Sequence, residues 1–368
     1  MTQPPGAADR AAPGVSVLPP LYARWIDDLL GAPIEPETHA TCADCAMCAP
    51  AGAPPDPDAR YFNPRVKCCT FLPALPNVLV GRILRDREPG RARGRASVEA
   101  RIAAGIAVTP LGLGRPPSGN VPDPAFGRDE AFLCPHFVPD GGGTCGIWPH
   151  REAVCATFFC KFVRGAVGAE FWSALHRLLE AIEHALAWHC VEALDVGTAA
   201  VARLLDGSTD APEDRRAVWG RWAGREAAFY EAAAEIGERL SWRDVLERGG
   251  PEVRLRAQLV RDAHARVRAP AIPPGPLRLT SFVVTLGPTD VRLATYSSTD
   301  PLSIPRDLFD VLPRFDGSTA AQAIATLEAE QGLEIEPGVV GRLVDFGVLV
   351  PAPALPDDAS AAPPASRD

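Results

Sequence analysis

Residues 134–161 read CPHFVPDGGGTCGIWPHREAVCATFFCK. Four cysteines (Cys134, Cys145, Cys155, Cys160) and two histidines (His136, His150) crowd into this stretch. Upstream, residues 42–48 read CADCAMC, placing Cys42, Cys45 and Cys48 at two-residue spacings, and Cys68 and Cys69 are adjacent. Two-residue spacings let a turn aim successive thiolates at one ion or one cluster. Three such thiolates need a distant fourth. A region of this kind is held by its ligands more than by a large apolar core, so an irregular, metal-organised, cysteine-rich region is expected here.

Working outward, nine of the ten cysteines fall between Cys42 and Cys160; only Cys190 stands apart. The N-terminal MTQPPGAADRAAPG lacks a basic start followed by an apolar run, so a signal peptide is not expected. No stretch of about 18 apolar residues suggests a membrane span. A cytoplasmic, reducing location is therefore expected. There, clustered cysteines point to metal or redox chemistry before disulfides.

The net charge of -9 makes free nucleic acid a poor partner, although an arginine-rich piece (Arg91, Arg93, Arg95, Arg101) offers a local phosphate contact. A solvated face explains that piece more simply. Only two of the 37 basic residues are lysines, Lys67 and Lys161, and both adjoin a cysteine, where a cation lowers a thiol's pKa.

Hydrophobic periodicity divides the rest. Residues 1–16 and 352–368 are expected to be disordered tails. A cysteine-cluster metal-binding domain is expected over 17–165, opened by a short helix from Leu21 to Leu30, with a further helix around Val78–Arg87. A helical domain follows over 166–270, with Phe171, Leu175, Leu178, Leu179, Ile182 and Leu186 on one stripe. Further helices are expected at Glu192–Leu205, within 213–240 and at Trp242–Val267, and Gly112–Pro124 is read as a loop. Residues 277–351 change period: two strands, Leu277–Leu286 and Val291–Tyr296, then helices at Arg306–Leu312, Thr319–Glu330 and Pro337–Phe346, the last closed by Gly347. The fold class expected is mainly α, with the cysteine-rich region and a small C-terminal α+β domain.

Two resemblances sharpen this reading. Cys145-Gly-Ile-Trp, Arg151 and Cys155-Ala-Thr-Phe-Phe-Cys160 resemble the second block of the zinc- or iron-chelating cysteine-cluster family of the YkgJ type, and Cys134 fits the same block. Cys42, Cys45, Cys48 and one or both of Cys68 and Cys69 fit its first block. The resemblance covers residues 42–162 and implies a metal centre. Two departures stand out: the double cysteine comes late, beyond a proline-rich insertion, and the arginine–proline order is changed to Pro149-His150-Arg151. Residues 277–351 resemble a winged helix and the PqqD-type peptide chaperone of quinone-cofactor biosynthesis, which implies peptide binding. Ten acids against five arginines in that module speak against DNA.

The candidate cofactor and metal ligands are Cys42, Cys45, Cys48, Cys68, Cys69, Cys134, Cys145, Cys155 and Cys160. An iron–sulfur cluster, or iron, suits an all-thiolate set; zinc, tetrahedral with Cys or His, is the alternative. His136 and His150 are candidate ligands, second-layer donors or proton donors. Cys190 is expected to be a buried thiol. Three functions compete: a peptide- or protein-modifying enzyme with a C-terminal docking module, a zinc-binding interaction scaffold, and a redox-responsive regulator. No catalytic triad order or nucleotide fingerprint selects a reaction, and a peptide or protein substrate is the expected partner.

Overall fold

The computed structural model describes residues 17–32, 34–37, 45–49, 61–115, 122–140, 143–207 and 216–353. The expected tails over 1–16 and most of 352–368 lie outside these residues, as does Cys42. The described fold is mainly α with small antiparallel sheets. Among the described residues no helix is long and apolar enough to cross a membrane. The chain divides into two compact units: residues 1–163 with 170–266, and residues 164–169 with 267–368.

In the first unit, α1 (Pro20–Leu30) starts on a proline, whose missing N–H costs nothing in a first turn. It buries Leu21, Trp25 and Leu29 on one stripe. Strand β1 (Leu75–Pro76) runs into α2 (Asn77–Arg85), and α3 (Ala92–Ala104) carries the arginine-rich piece. Short strands β2 (Val108–Thr109) and β3 (Gly112–Leu113) complete a sheet of order β1-β3-β2, so the expected loop at 112 begins with a strand. A hairpin follows, β4 (Phe137–Val138) with β5 (Thr144–Cys145), and then the one-turn helix α4 (Ala153–Thr157).

The scaffold is helical. Helix α5 (Gly165–Ala193) buries its whole stripe from Phe171 to Leu186. It is followed by α6 (Thr198–Asp206), α7 (Glu226–Arg239) and α8 (Trp242–Arg268). Helix α8 is bent at Gly250, where φ is 62°, beside Pro251. Helices α2 and α7 pack closely against each other through glycines. A Cβ built on Gly81 would stand 1.8 Å from the Tyr230 carbonyl oxygen, and one on Gly237 2.5 Å from Val78. Asn77, fully buried, spends its amide on the Pro110 and Ala187 carbonyls, both at 2.9 Å, and so ties α2 to α5.

In the second unit, β6 (Leu277–Leu279) pairs antiparallel with β10 (Leu349–Pro351). Strands β7 (Val283–Leu286), β8 (Asp290–Ala294) and β9 (Leu302–Pro305) form a separate sheet in that order. The single strand expected over Leu277–Leu286 is therefore two strands in two sheets. Thr280 breaks it: its amide donates to the Val348 carbonyl and its hydroxyl to the Gly347 carbonyl, so the chain turns out of the first sheet. Helices α9 (Arg306–Val311), α10 (Ala320–Gln331) and α11 (Pro337–Asp345) close the core. Thr319 and Gln322 form a reciprocal cap at the start of α10, and Gly347, at φ 71°, ends α11 in the left-handed turn that glycine favours. Leu308, Leu312, Ala323, Leu327, Val340 and Leu343 are buried together, with Ile324 and Val344 packed partly against them.

Gly81→Ala should destabilise the first unit by about 1–3 kcal/mol, the usual cost of forcing a methyl into a filled contact. Urea unfolding checks it: the midpoint should fall with little change in slope.

Candidate metal centre

Four segments converge. The first is a turn closed by the Cys48 amide on the Cys45 carbonyl at 3.0 Å and anchored by the buried Met47, whose carbonyl accepts from Phe62 at 2.6 Å. The second is a tight turn over 63–71. The Asn63 carbonyl accepts from Val66 at 3.0 Å and Lys67 at 2.8 Å, and Cys69 donates to Val66 at 3.0 Å. Lys67 sits at φ 51° with its ammonium 3.2 Å from the Gly143 carbonyl. Cys68 and Cys69 therefore lie side by side in a turn. Their thiols are hydrogen-bonded to each other.

The third segment is the β4–β5 hairpin. The Cys134 amide donates to the Cys69 carbonyl at 2.7 Å, and Cys145 pairs with Phe137. A Cβ on Gly94 would stand 2.1 Å from the Gly146 carbonyl oxygen, so α3 is pressed onto the hairpin where only glycine fits. The fourth segment is α4 and its exit. Glu152 caps α4, accepting from the Val154 amide at 2.5 Å and the Cys155 amide at 2.9 Å. Glu183 of α5 accepts from the Ala153 amide at 2.7 Å and from the Tyr22 hydroxyl. Phe158 stacks edge-on with Phe126 and Phe159 with Trp172, pinning both residues that precede Cys160.

The thiols fall into two neighbourhoods by the charges they feel. Cys48 and Cys160 each sense Cys45 and Cys68. Cys69 and Cys155 each sense Cys134 and Cys145. Cys68 also acts on Cys134 and Cys145, so its charge is felt in both sets. Burial pushes Cys48, Cys134 and Cys160 up to about 12. Burial raises Cys145 and Cys155 as well, whereas Cys69 rises first through its bond to Cys68. Cys68 runs the other way, to about 7, because the Cys69 thiol donates to it and Arg151 and Lys67 stand near. Lys161 lowers Cys160, but burial outweighs it. All nine described cysteines are free thiols. Among the described residues no three His, Cys, Asp or Glu side chains stand as a ready-made metal cage.

The two histidines separate. His136 is buried, with Nδ1 2.7 Å from the Ser97 hydroxyl and Nε2 3.2 Å from an Arg101 nitrogen. Arginine only donates, so Nε2 accepts and Nδ1 carries the proton. Burial, then Arg101, holds the imidazole down to about 3. Both its nitrogens are engaged, which leaves it no lone pair for a metal. His150 has one nitrogen on Asp86, at 2.9 Å. Cys190 is buried away from the centre, its thiol 3.8 Å from the Ala233 carbonyl.

Sequence reasoning missed Glu183, Tyr22, Asp86 and Ser97, which act from remote positions. Arg151 was visible in the motif; its guanidinium stacks 3.4 Å over Trp148 and donates to the Cys155 carbonyl at 2.9 Å. No family model, curated protein or solved structure matches the chain.

Cys190→Ala should keep the metal content of the wild type and cost about 1 kcal/mol of stability, as for a small buried side chain. Metal analysis beside thermal unfolding checks both halves; loss of a metal equivalent would place Cys190 among the ligands.

Proposed function

We propose that the protein binds iron through these thiols, as an iron–sulfur centre, and uses its C-terminal unit to hold an extended peptide or protein segment on which the centre acts. The observation that carries the metal reading is that the cysteine-bearing segments meet: the Cys134 amide donates to the Cys69 carbonyl at 2.7 Å, and Phe62, Phe126 and Phe158 stack in a row that joins the Cys45–Cys48 turn to the exit of α4. The Cys45, Cys48 and Cys160 set reaches four sulfurs with Cys68 or Cys42, and the Cys69, Cys134, Cys145 and Cys155 set already has four, which suits the four-ligand demand of iron–sulfur clusters and of zinc alike. The chemistry of the donors suits such a group: they are soft sulfurs, partly shielded from water, with Lys67, Arg91, Arg151 and Lys161 near enough to offset thiolate charge. When bound, the metal would supply redox or Lewis-acid chemistry. The chain's own groups hold the sulfurs, exclude water and carry compensating charge. A zinc-binding scaffold uses the same residues, and a redox-responsive regulator could use the hydrogen-bonded Cys68–Cys69 pair.

The docking reading rests on β7. It is an edge strand of the β7-β8-β9 sheet, and Val283, Val284 and Leu286 are 69%, 40% and 65% exposed. An apolar, uncharged edge offers backbone groups to another strand, an arrangement that soluble proteins usually guard with charge or proline. Its surroundings, with five more acids than arginines over 277–351, favour a basic or neutral segment. The strands and three helices of this unit support the likeness to a winged-helix or PqqD-type module.

Protein purified without oxygen should contain iron and labile sulfide and absorb broadly near 400 nm; colourless protein holding zinc would move the function to the scaffold. Cys155→Ala should lower the metal content per chain, and an unchanged stoichiometry would remove Cys155 from the ligand set.

Val283→Lys combined with Leu286→Lys should change stability by no more than about 0.5 kcal/mol per site, since both side chains are exposed. The same variant should lose binding of extended apolar–basic peptides, followed by fluorescence anisotropy. Retained affinity would sink the docking role of β7.

A further inference from the structure

The register of the β7-β8-β9 sheet fixes which groups β7 turns outward. Along an antiparallel pair, opposed residues alternate between exchanging both backbone bonds and exchanging none. The Gly287 amide donates to the Asp290 carbonyl at 2.9 Å, so that pair is a bonded one. Counting back through Leu286↔Val291, Thr285↔Arg292, Val284↔Leu293 and Val283↔Ala294, Thr285 and Val283 spend their backbone groups on β8. Val284 and Leu286 turn theirs the other way, to the open edge. Among the described residues no strand pairs with that edge.

The same two residues are the apolar ones on the core side of the sheet. Leu286 continues the row Ile304–Val291, and Val284 the row Leu302–Leu293. Those four neighbours are buried, whereas Val284 and Leu286 stand exposed. The apolar face thus runs one strand past its cover. A strand added to this edge would set alternate side chains in both rows, over Val284 and Leu286.

Strand β7 itself meets that specification. Turned about a twofold axis at Thr285, a second β7 brings Val284 opposite the partner's Leu286. Outward-bonding residues then face outward-bonding residues, and apolar side chains meet on the core side. Residues 280–289, TSFVVTLGPT, carry no ionisable side chain. Like charges directly opposite one another destabilise a strand pair, and a chain of net charge -9 can lay this stretch against itself without that cost. An edge that stays single is usually guarded by charge or proline, and β7 has neither.

We propose that β7 pairs antiparallel with β7 of a second copy of this chain, centred on Thr285, so that one sheet runs through both copies. This rests on the reading of β7 as the docking edge and names its regulation: the second copy occupies the strand that a peptide would take, and the two compete. The contact is small, so the dimer should be weak and dependent on concentration.

The test is sedimentation equilibrium of the full chain over the micromolar to millimolar range. The wild type should pass from monomer to dimer. Thr285 is exposed and, in the paired strands, faces its own copy in a non-bonded pair, where the Cα atoms are about 4.5 Å apart. Thr285→Lys and Thr285→Glu should therefore each stay monomeric alone, and an equimolar mixture of the two should dimerise again. Circular dichroism shows whether each folds. Should either fail, Val284→Pro decides: it removes an outward amide and leaves the bonds to β8, and it too should be monomeric. A wild type that is monomeric throughout, a dimer that survives these substitutions, or a mixture that stays monomeric overturns the proposal. An uncharged peptide with valine at alternate positions, followed by fluorescence anisotropy, should bind the monomeric variants more tightly than the dimeric wild type, in proportion to the fraction of free edges. Equal affinity for monomer and dimer overturns the competition. A monomeric wild type that binds this peptide removes the dimer and keeps the docking reading, whereas monomeric variants that bind none remove the docking reading and keep the dimer.

Discussion

The hydrogen bond from the Cys134 amide to the Cys69 carbonyl, 2.7 Å long, joins the two cysteine blocks of the sequence. The turn over 63–71 has little regular structure of its own, and the β4–β5 hairpin has only two residues per strand. Neither could hold a fixed shape alone in water, where a two-stranded hairpin is marginal at best. Joined at this point, they bring Cys68, Cys69, Cys134 and Cys145 within electrostatic reach of one another. Thr70 strengthens the joint: fully buried, it accepts from the Gly127 amide at 2.8 Å and draws the segment before Cys134 onto the same turn.

Helix α5 extends that constraint into the scaffold. Glu183 sits on the buried stripe that packs the first unit, yet its carboxyl is spent on the Ala153 amide and the Tyr22 hydroxyl. Burial, then the charge of Glu152, raises its pKa well above the usual carboxylate range. The three first-turn amides of α4 are thereby satisfied by two carboxyl groups, and Cys155 is fixed by a helix distant in sequence.

The regular elements were legible because they obey local periods and caps. The Phe171–Leu186 stripe, the Leu21–Trp25–Leu29 spacing, the Thr319 cap and the Gly347 stop all act within a few residues. Strand β9 was missed because Leu302–Pro305 is short and bounded by prolines, and the split at Thr280 depends on carbonyls of residues 347 and 348. The nine candidate cysteines could be named from spacing alone. Cys42 lies outside the described residues, and the other eight gather in the two neighbourhoods. Their grouping could not be read, since Cys160 meets Cys45 and Cys48 only through tertiary packing. The different fates of His136 and His150 are set by Ser97, Arg101 and Asp86, none of which has a sequence signature.

The placement of cations completes the logic of the centre. An acidic chain with only two lysines buries one of them, Lys67, at 7% exposure, and buries Arg151 at 8%. Burying a charge is expensive unless opposite charge is close. Both cations lower the pKa of Cys68, so each in turn is stabilised when that thiol ionises. Burial acts in the opposite sense on Cys48, Cys134, Cys145, Cys155 and Cys160 and favours their protonated form. Cys68 is thus the thiol that ionises most readily among those whose shift burial drives the other way. A cation favours thiolate over thiol, so Lys67 and Arg151 make Cys68 the most nucleophilic sulfur of the cluster at neutral pH.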